Sequence, residues 1–228
     1  MTSPGFFITG TDTDVGKTVV SRALVARLVD HGLRVAALKP ISAGCERTPE
    51  GLRNDDALQL MAAANVSLPY DTVNPFAYEP PIAPHIAAQR ADRPMDIARC
   101  VGTLNEARSQ ADLCIVEGAG GWLVPINAQD TLEDLALALG LPVVLVVGIR
   151  LGCLNHAQLS ARVIEASGLP LVGWIANHLS AETAEAEANV QALVDRIDAP
   201  LLETVPFEPD PGHAGAQASR YLLKALSH

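Results

Sequence analysis

Basic charge is scarce in this 228-residue chain: 16 Lys and Arg stand against 26 Asp and Glu, a formal net charge of −10. A general nucleic-acid binder needs a basic face to neutralise phosphates, so that class is excluded. A small anionic ligand is not, since a few lysines and backbone donors can hold it. Aromatics are also few, at 4% of residues, while Ala, Val and Leu dominate the apolar 49%. That balance suits a buried parallel sheet under helices rather than a β-sandwich. The four cysteines, Cys45, Cys100, Cys114 and Cys153, show neither a C-x-x-C pair nor zinc-ligand spacing. Cys114, inside "LCIVEG", reads as a buried thiol. Long hydrophobic runs are missing too, because "LGLPVVLVVGI" is too short and too proline-interrupted to span a bilayer. The N-terminus enters "GFFITG" without a signal-type segment. A cytoplasmic protein with neither a membrane nor a nucleic acid as partner is expected.

What is present is a recurring pattern. Short β-branched runs occur at 6–10, 34–40, 112–118, 142–148 and 171–178, each ending near Gly, Pro or a charged residue. Between them lie stretches with helical apolar spacing, such as Val19, Val20, Ala23, Leu24 and Leu28, and later Leu132, Leu135 and Leu139. Strand then helix, repeated, predicts an α/β fold with a mostly parallel sheet flanked by helices on both faces. Ligands in such sheets bind beyond the carboxyl ends of the strands. The stretch 65–95 is proline-rich but keeps Tyr70, Phe76, Tyr78 and Ile82, so it reads as an ordered excursion. With no repeat and no composition shift, residues 1–228 are expected to form one domain.

The strongest local signal is "GTDTDVGKT", Gly10 to Thr18, between an apolar run and a helical stretch. A glycine-rich turn opening a helix aims backbone N–H groups and the helix dipole at one spot. Lys17 supplies a cation for β- and γ-phosphate oxygens, and the Thr18 hydroxyl suits a Mg²⁺ ligand. The spacing departs from the strict phosphate loop (P-loop): five residues separate Gly10 and Gly16, and Thr11 stands where the first glycine would be. Glu117, at the end of a strand, and Asp56, in "LRNDDALQL", can complete a magnesium site. Each has a plainer role open to it, Glu117 as a cap or loop acceptor and the Asp55–Asp56 pair as helix N-caps. Lys39, taken alone, reads as a solvated strand-end charge; opposite a phosphate loop it would offset anionic charge in a transition state.

Together, "GTDTDVGKT", "KPISAG", "TPEGLRNDDA", "TVNPFAYEPPIAPH", "VEGAGGW", "VVGIRLGCLNHA" and "GWIANH" resemble the dethiobiotin synthetase family, from about residue 6 to 208. The resemblance implies a P-loop NTPase-like three-layer sandwich. It implies an ATP- and Mg²⁺-dependent ligase of biotin biosynthesis that closes 7,8-diaminononanoate and CO₂ into dethiobiotin. It also implies a homodimer whose substrate site lies at the subunit interface. Carried onto this sequence, Lys17 and Lys39 are the catalytic cations, and Thr18, Asp56 and Glu117 hold the metal. The nucleotide meets Asp14, Val15, Gly16, Lys17, Thr18, Val19, Asp56, Glu117, Gly118, Ala119 and Gly120. Its base meets Asn177, His178, Pro206, Phe207 and Glu208. The diamine meets Thr13, Ser42 or Ala43, Gly120 and Gly121, and its carboxylate meets Gly152, Cys153 and Asn155 of the partner subunit.

Three departures accompany this. Asp14 stands where the family usually has Glu; the substrate serine falls on Ala43, with Ser42 one position earlier; and the segment around His213 matches weakly. Other classes fit less well. A partitioning ATPase of the same fold carries an extra lysine early in the loop, and "GTDTD" has none. A GTPase would want Asn-Lys-x-Asp where "IANHLS" stands. A cobyrinate-type amidotransferase needs a glutaminase portion with a reactive cysteine, for which little length follows residue 208. A non-catalytic scaffold leaves the loop, Lys39 and Glu117 without a joint purpose.

Overall fold

The computed structural model describes residues 4–207 and 215–225. The chain opens with β1 (Gly5–Gly10), α1 (Lys17–Asp30) and β2 (Val35–Leu38), then crosses the site end in short pieces. These are β3 (Ile41–Ser42), β4 (Glu46–Thr48), β5 (Gly51–Arg53), α2 (Asp55–Ala63), α3 (Tyr70–Val73), β6 (Phe76–Ala77) and α4 (Pro84–Arg90). Regular alternation resumes with α5 (Ile97–Arg108), β7 (Leu113–Gly121), α6 (Leu132–Leu139), β8 (Val143–Ile149) and α7 (Cys153–Ala166). The described part ends with β9 (Leu171–His178), α8 (Ala186–Val194), β10 (Leu201–Val205) and α9 (Ala216–Ala225).

Six strands form the central sheet in the order β10-β9-β8-β1-β7-β2, and every neighbouring pair is parallel. Strand periodicity divides the side chains between two cores. Phe6, Ile8, Leu113, Ile115, Val144 and Val146 meet Leu24 and Leu28 of α1 and Leu222 of α9. Phe7, Cys114, Val116, Val143, Leu145 and Val147 meet Leu104 of α5, Leu135 of α6 and Ile164 of α7. Each such side chain contributes about 1.5–3 kcal/mol on leaving water. The sequence therefore reads as continuous apolar runs because neither face of the sheet is wet. β1 lies between β7 and β8, both much later in the chain, so the loops leaving these three strands converge at the carboxyl edge.

The sheet has one strand more than the five expected. β10, "LLETV", was not legible because Glu203 and Thr204 interrupt its apolar pattern. Glu203 is buried nonetheless, and its carboxylate accepts backbone N–H bonds from Gly215 (2.8 Å), Gln217 (3.1 Å) and Ala218 (3.0 Å) at the start of α9. The excursion at 65–95 is ordered, as expected. It supplies α3, α4 and β6, which pairs in parallel with β3.

Candidate active site

The phosphate loop leaves the centre of the sheet and turns through two left-handed residues, Asp14 (φ 57°) and Gly16 (φ 84°). Gly16 is demanded twice over: a Cβ there would fall 2.1 Å from Asn177 Nδ2. Asn177, at the end of β9, donates from Nδ2 to the Val15 carbonyl (2.9 Å), which pins the loop to the neighbouring strand. α1 then starts at Lys17 without any side-chain cap. Its first N–H groups thus face the loop mouth without intrahelical partners, the arrangement that favours an anion. Lys17 donates to the Asp12 carbonyl (3.0 Å). Burial, followed by the charge of Lys39, lowers its pKa to about 8.

Lys39 is buried, not solvated, and donates from Nζ to Glu117 Oε1 (2.6 Å), Asp56 Oδ2 (3.0 Å) and the Gly118 carbonyl (3.3 Å). Burial works against its charge, but Glu117 and Asp56 outweigh that and hold the ammonium above its ordinary pKa. Burial likewise opposes the charge of Asp56, and Lys39 more than offsets it, so the carboxyl titrates below its usual range. Glu117 is fully buried within β7 and also accepts the Thr18 hydroxyl (2.9 Å). The plainer roles for these residues are therefore set aside. Asn54, not the aspartate pair, caps α2, accepting from Ala57 N–H (3.2 Å). Asp55 turns outward to Gln59 while Asp56 faces Lys39.

This donor set fits a magnesium ion. Glu117 Oε2 is buried with no hydrogen-bond partner among the described residues, and the Thr18 hydroxyl and the Asp56 carboxylate flank the same glutamate and lysine. All three are hard oxygen donors. Among the described residues no group of three His, Cys, Asp or Glu side chains encloses an ion. Mg²⁺ does not need one, because it keeps waters and takes phosphate oxygens beside one or two carboxylates.

The family model described as an AAA domain matches residues 4–214. The chain is 49% identical over 216 residues to the ATP-dependent dethiobiotin synthetase of Pseudomonas paraeruginosa, covering 94% of this chain and 95% of that protein. It is 52% identical over 206 residues to the synthetase of Cellvibrio japonicus, covering 90% of each. The chain belongs to the dethiobiotin synthetase family. Among solved structures it is similar to the MinC:MinD cell division protein complex of Aquifex aeolicus, with TM-score 0.63, 17% identity, and 97% and 96% of the two chains covered. The septum site-determining protein MinD of Pyrococcus horikoshii, solved with Mg-ADP, gives TM-score 0.61 at 17% identity, with 99% and 96% covered. These two likenesses establish the P-loop NTPase fold alone.

The other positions expected from the synthetase resemblance fall into three groups. Gly118, Ala119, Gly120 and Gly121 finish β7 against the phosphate loop, with Gly10 and Gly121 in register. Gly120 is left-handed (φ 70°), and a Cβ on it would lie 3.4 Å from Thr13 Oγ1. Thr13 is exposed and donates its N–H to Asp12 Oδ1 (2.8 Å). Val15 is buried beneath the loop, and Val19 is exposed on the first turn of α1.

Ser42 is the exception in the second group. Its hydroxyl is buried and donates to Asn74 Oδ1 (2.7 Å), with Cys45 Sγ 3.1 Å away. Its proton is thus committed to Asn74, while Ala43 is half-buried. On the base side, His178 is half-buried at the end of β9, and Pro206 and Phe207 are exposed just past Val205, which pairs with Asn177. Glu208 and His213 lie outside the described residues.

The third group sits apart from the lysine cluster, with no hydrogen bond to it among the described residues. Gly152 (φ 95°) caps α7, and Asn155 is exposed. Cys153 turns its side chain into the core and donates its N–H to the Arg150 carbonyl (3.0 Å). Sequence reasoning gave no role to Arg150, which forms an ion pair with Asp12 of the loop, nor to Asn54, Tyr70 and Asn74. The place of Asn54 just before "DDALQL" is an N-cap signature that could have found it. Nothing local marks Asn74 as buried.

Proposed function

We propose that this chain is an ATP-dependent dethiobiotin synthetase acting in biotin biosynthesis. It joins 7,8-diaminononanoate, CO₂ and ATP to give dethiobiotin, ADP and phosphate. The observation that carries the reading is the Lys39–Asp56–Glu117–Thr18 cluster, with Lys39 and Glu117 buried, set against the phosphate loop, in a chain of that family. One substrate amine captures CO₂ as a carbamate, whose anion Lys39 and the loop N–H groups receive. The γ-phosphoryl group passes to a carbamate oxygen, giving a carbamic–phosphoric anhydride and ADP. Lys17 and Lys39 hold the equatorial oxygens during transfer. The second amine attacks the carbonyl carbon, loses its proton and expels phosphate, which closes the cyclic urea. Positioning and charge stabilisation carry these steps, and no protein nucleophile enters them.

Thr18, Asp56 and Glu117 would hold Mg²⁺, which when bound neutralises phosphate charge. Asn177, His178, Pro206 and Phe207 would frame the base, with the adenine ring against the exposed Phe207. Gly120, Gly121 and Thr13 would admit the diamine backbone closely. The fully exposed Leu151 and the exposed Leu159, on and beside α7, support a homodimer whose partner subunit brings Gly152 and Asn155 to the substrate carboxylate. Four free, buried cysteines suit a reducing cytoplasm, and no helix of the described residues is long and apolar enough to cross a membrane. One domain is proposed to carry all of this.

The test is a mass-spectrometric assay of purified protein with 7,8-diaminononanoate, ¹³C-bicarbonate, ATP and Mg²⁺. Labelled dethiobiotin forms one-for-one with ADP and is lost in Lys17→Ala. ATP turnover without labelled product would instead move the chain among the partner-switching ATPases of its fold.

A further inference from the structure

The residues that orient Lys39 and Asp56 toward one another are not their neighbours in sequence. Lys39 lies just past β2, and its main chain is gripped from α3. Its N–H donates to the Val73 carbonyl (2.9 Å), and its carbonyl accepts Asn74 Nδ2 (2.5 Å). Asn74 is only 2% exposed. Its Oδ1 accepts two hydroxyls, from Ser42 (2.7 Å) and Tyr70 (3.0 Å). Tyr70 and Asn74 stand four residues apart on one helical turn, which puts both side chains on the same side. The Tyr70 hydroxyl in turn accepts the Asn54 N–H (2.7 Å). Asn54 caps α2, and Asp56 sits in the first turn of that helix.

The path therefore closes on itself. It runs from the Lys39 carbonyl through the Asn74 amide, the Tyr70 hydroxyl and the capped end of α2 to Asp56, whose carboxylate returns to Lys39 Nζ. Every member is an oriented donor or acceptor. The Arg53 guanidinium carbon lies 4.2 Å from the centre of the Tyr70 ring, over its face. In a low-dielectric setting such chains polarise one another and fix a single geometry. The sharp chemical consequence is at the two ends, where Lys39 is proposed to meet the phosphoryl group and Asp56 the metal ion.

We infer that Asn74 and Tyr70 are positioning residues for phosphoryl transfer, setting the separation of Lys39 from Asp56 without touching substrate. The inference rests on the proposed roles of Lys39 and Asp56. It explains why a proline-rich excursion is kept ordered: its first turn is the brace between β2 and α2. It also gives the Ser42 hydroxyl a place as a further strut of the brace, through its bond to Asn74.

The test compares Tyr70→Phe, which removes a single oxygen, with Asn74→Ala and with Asp56→Asn as the control for the site itself. The readouts are steady-state ring closure and the affinity of ADP with and without Mg²⁺. With the reacting groups misplaced, kcat falls about tenfold in Tyr70→Phe and about a hundredfold in Asn74→Ala, while KM for ATP stays within about twofold. ADP affinity without Mg²⁺ is unchanged in both, and the gain on adding Mg²⁺ shrinks because Asp56 is misplaced. A kcat within about threefold of wild type in both variants, or a Mg²⁺ gain fully retained in both, overturns the inference even if melting temperatures drop. If Asp56→Asn itself leaves turnover and Mg²⁺ dependence intact, the proposed site has failed and not only its brace.

Discussion

Lys39 keeps its charge in a place from which water is nearly excluded because two carboxylates are within reach of one ammonium. Removing the lysine leaves Glu117 at zero exposure without its ion-pair partner, Lys17 being a more distant cation, and breaking a buried pair in that way costs about 3–5 kcal/mol. The lower end applies here, since Asp56 is 41% exposed and is screened by solvent. In Lys39→Met, urea unfolding should therefore report a loss of about 3 kcal/mol, and ring closure should vanish. Mg²⁺ should raise the melting temperature of the variant more than that of the wild type, because an ion binding only the folded state substitutes for the missing charge. A loss below about 1 kcal/mol would mean that the pair is weaker than its geometry suggests. From sequence alone Lys39 was ambiguous, because a strand-end lysine is usually solvated. What settles it is a glutamate 78 residues later and an aspartate 17 residues later, contacts that no local pattern encodes.

Elements whose apolar period is uninterrupted are legible in the sequence: β1, β2, β7, β8, β9, α1 and α6 all lie where the periodicity puts them. β10 is not, because its stabilising contact is a buried carboxylate, which on paper counts against a strand. Glu203 caps α9 from the sheet, and the clamp brings Gly215 against α1, where a Cβ would meet the Ala23 backbone at 2.7 Å. The helix that begins at Lys17 is thereby held on its outer side by a strand at the opposite end of the chain. Glu203→Ala strips three N–H groups of their acceptor and should lower stability by about 2–3 kcal/mol. Hydrogen exchange should localise the change: amides of α9 lose protection first, while those of β1 and β8 open only with the whole molecule. Unaltered protection in α9 would show that its packing on α1, not the carboxylate, fixes the helix.

At the scale of the whole molecule, the positions inferred by resemblance divide into two sets with no hydrogen bond between them among the described residues. Thr18, Asp56 and Glu117 form a bonded cluster with Lys39, and Lys17 feels the charges of that cluster while donating to Asp12, whereas Gly152 and Asn155 lie exposed. The fully exposed Leu151 stands beside this second set, where the subunit interface is proposed. A two-fold dimer would bring the same patch of each subunit toward the other and complete two equivalent sites. Co-expression of Lys17→Ala with Asn155→Ala, using different tags to isolate the mixed dimer, separates the arrangements. If each site draws Asn155 from the partner subunit, the mixed dimer holds one site with both defects and one with neither. A statistical mixture of chains then recovers roughly a quarter of wild-type activity, although each variant alone is inactive or slow. Should the isolated mixed dimer stay at the level of its parents, Asn155 serves the phosphate loop of its own chain. The substrate carboxylate would then have to reach α7 within one subunit, over the ion pair of Arg150 and Asp12.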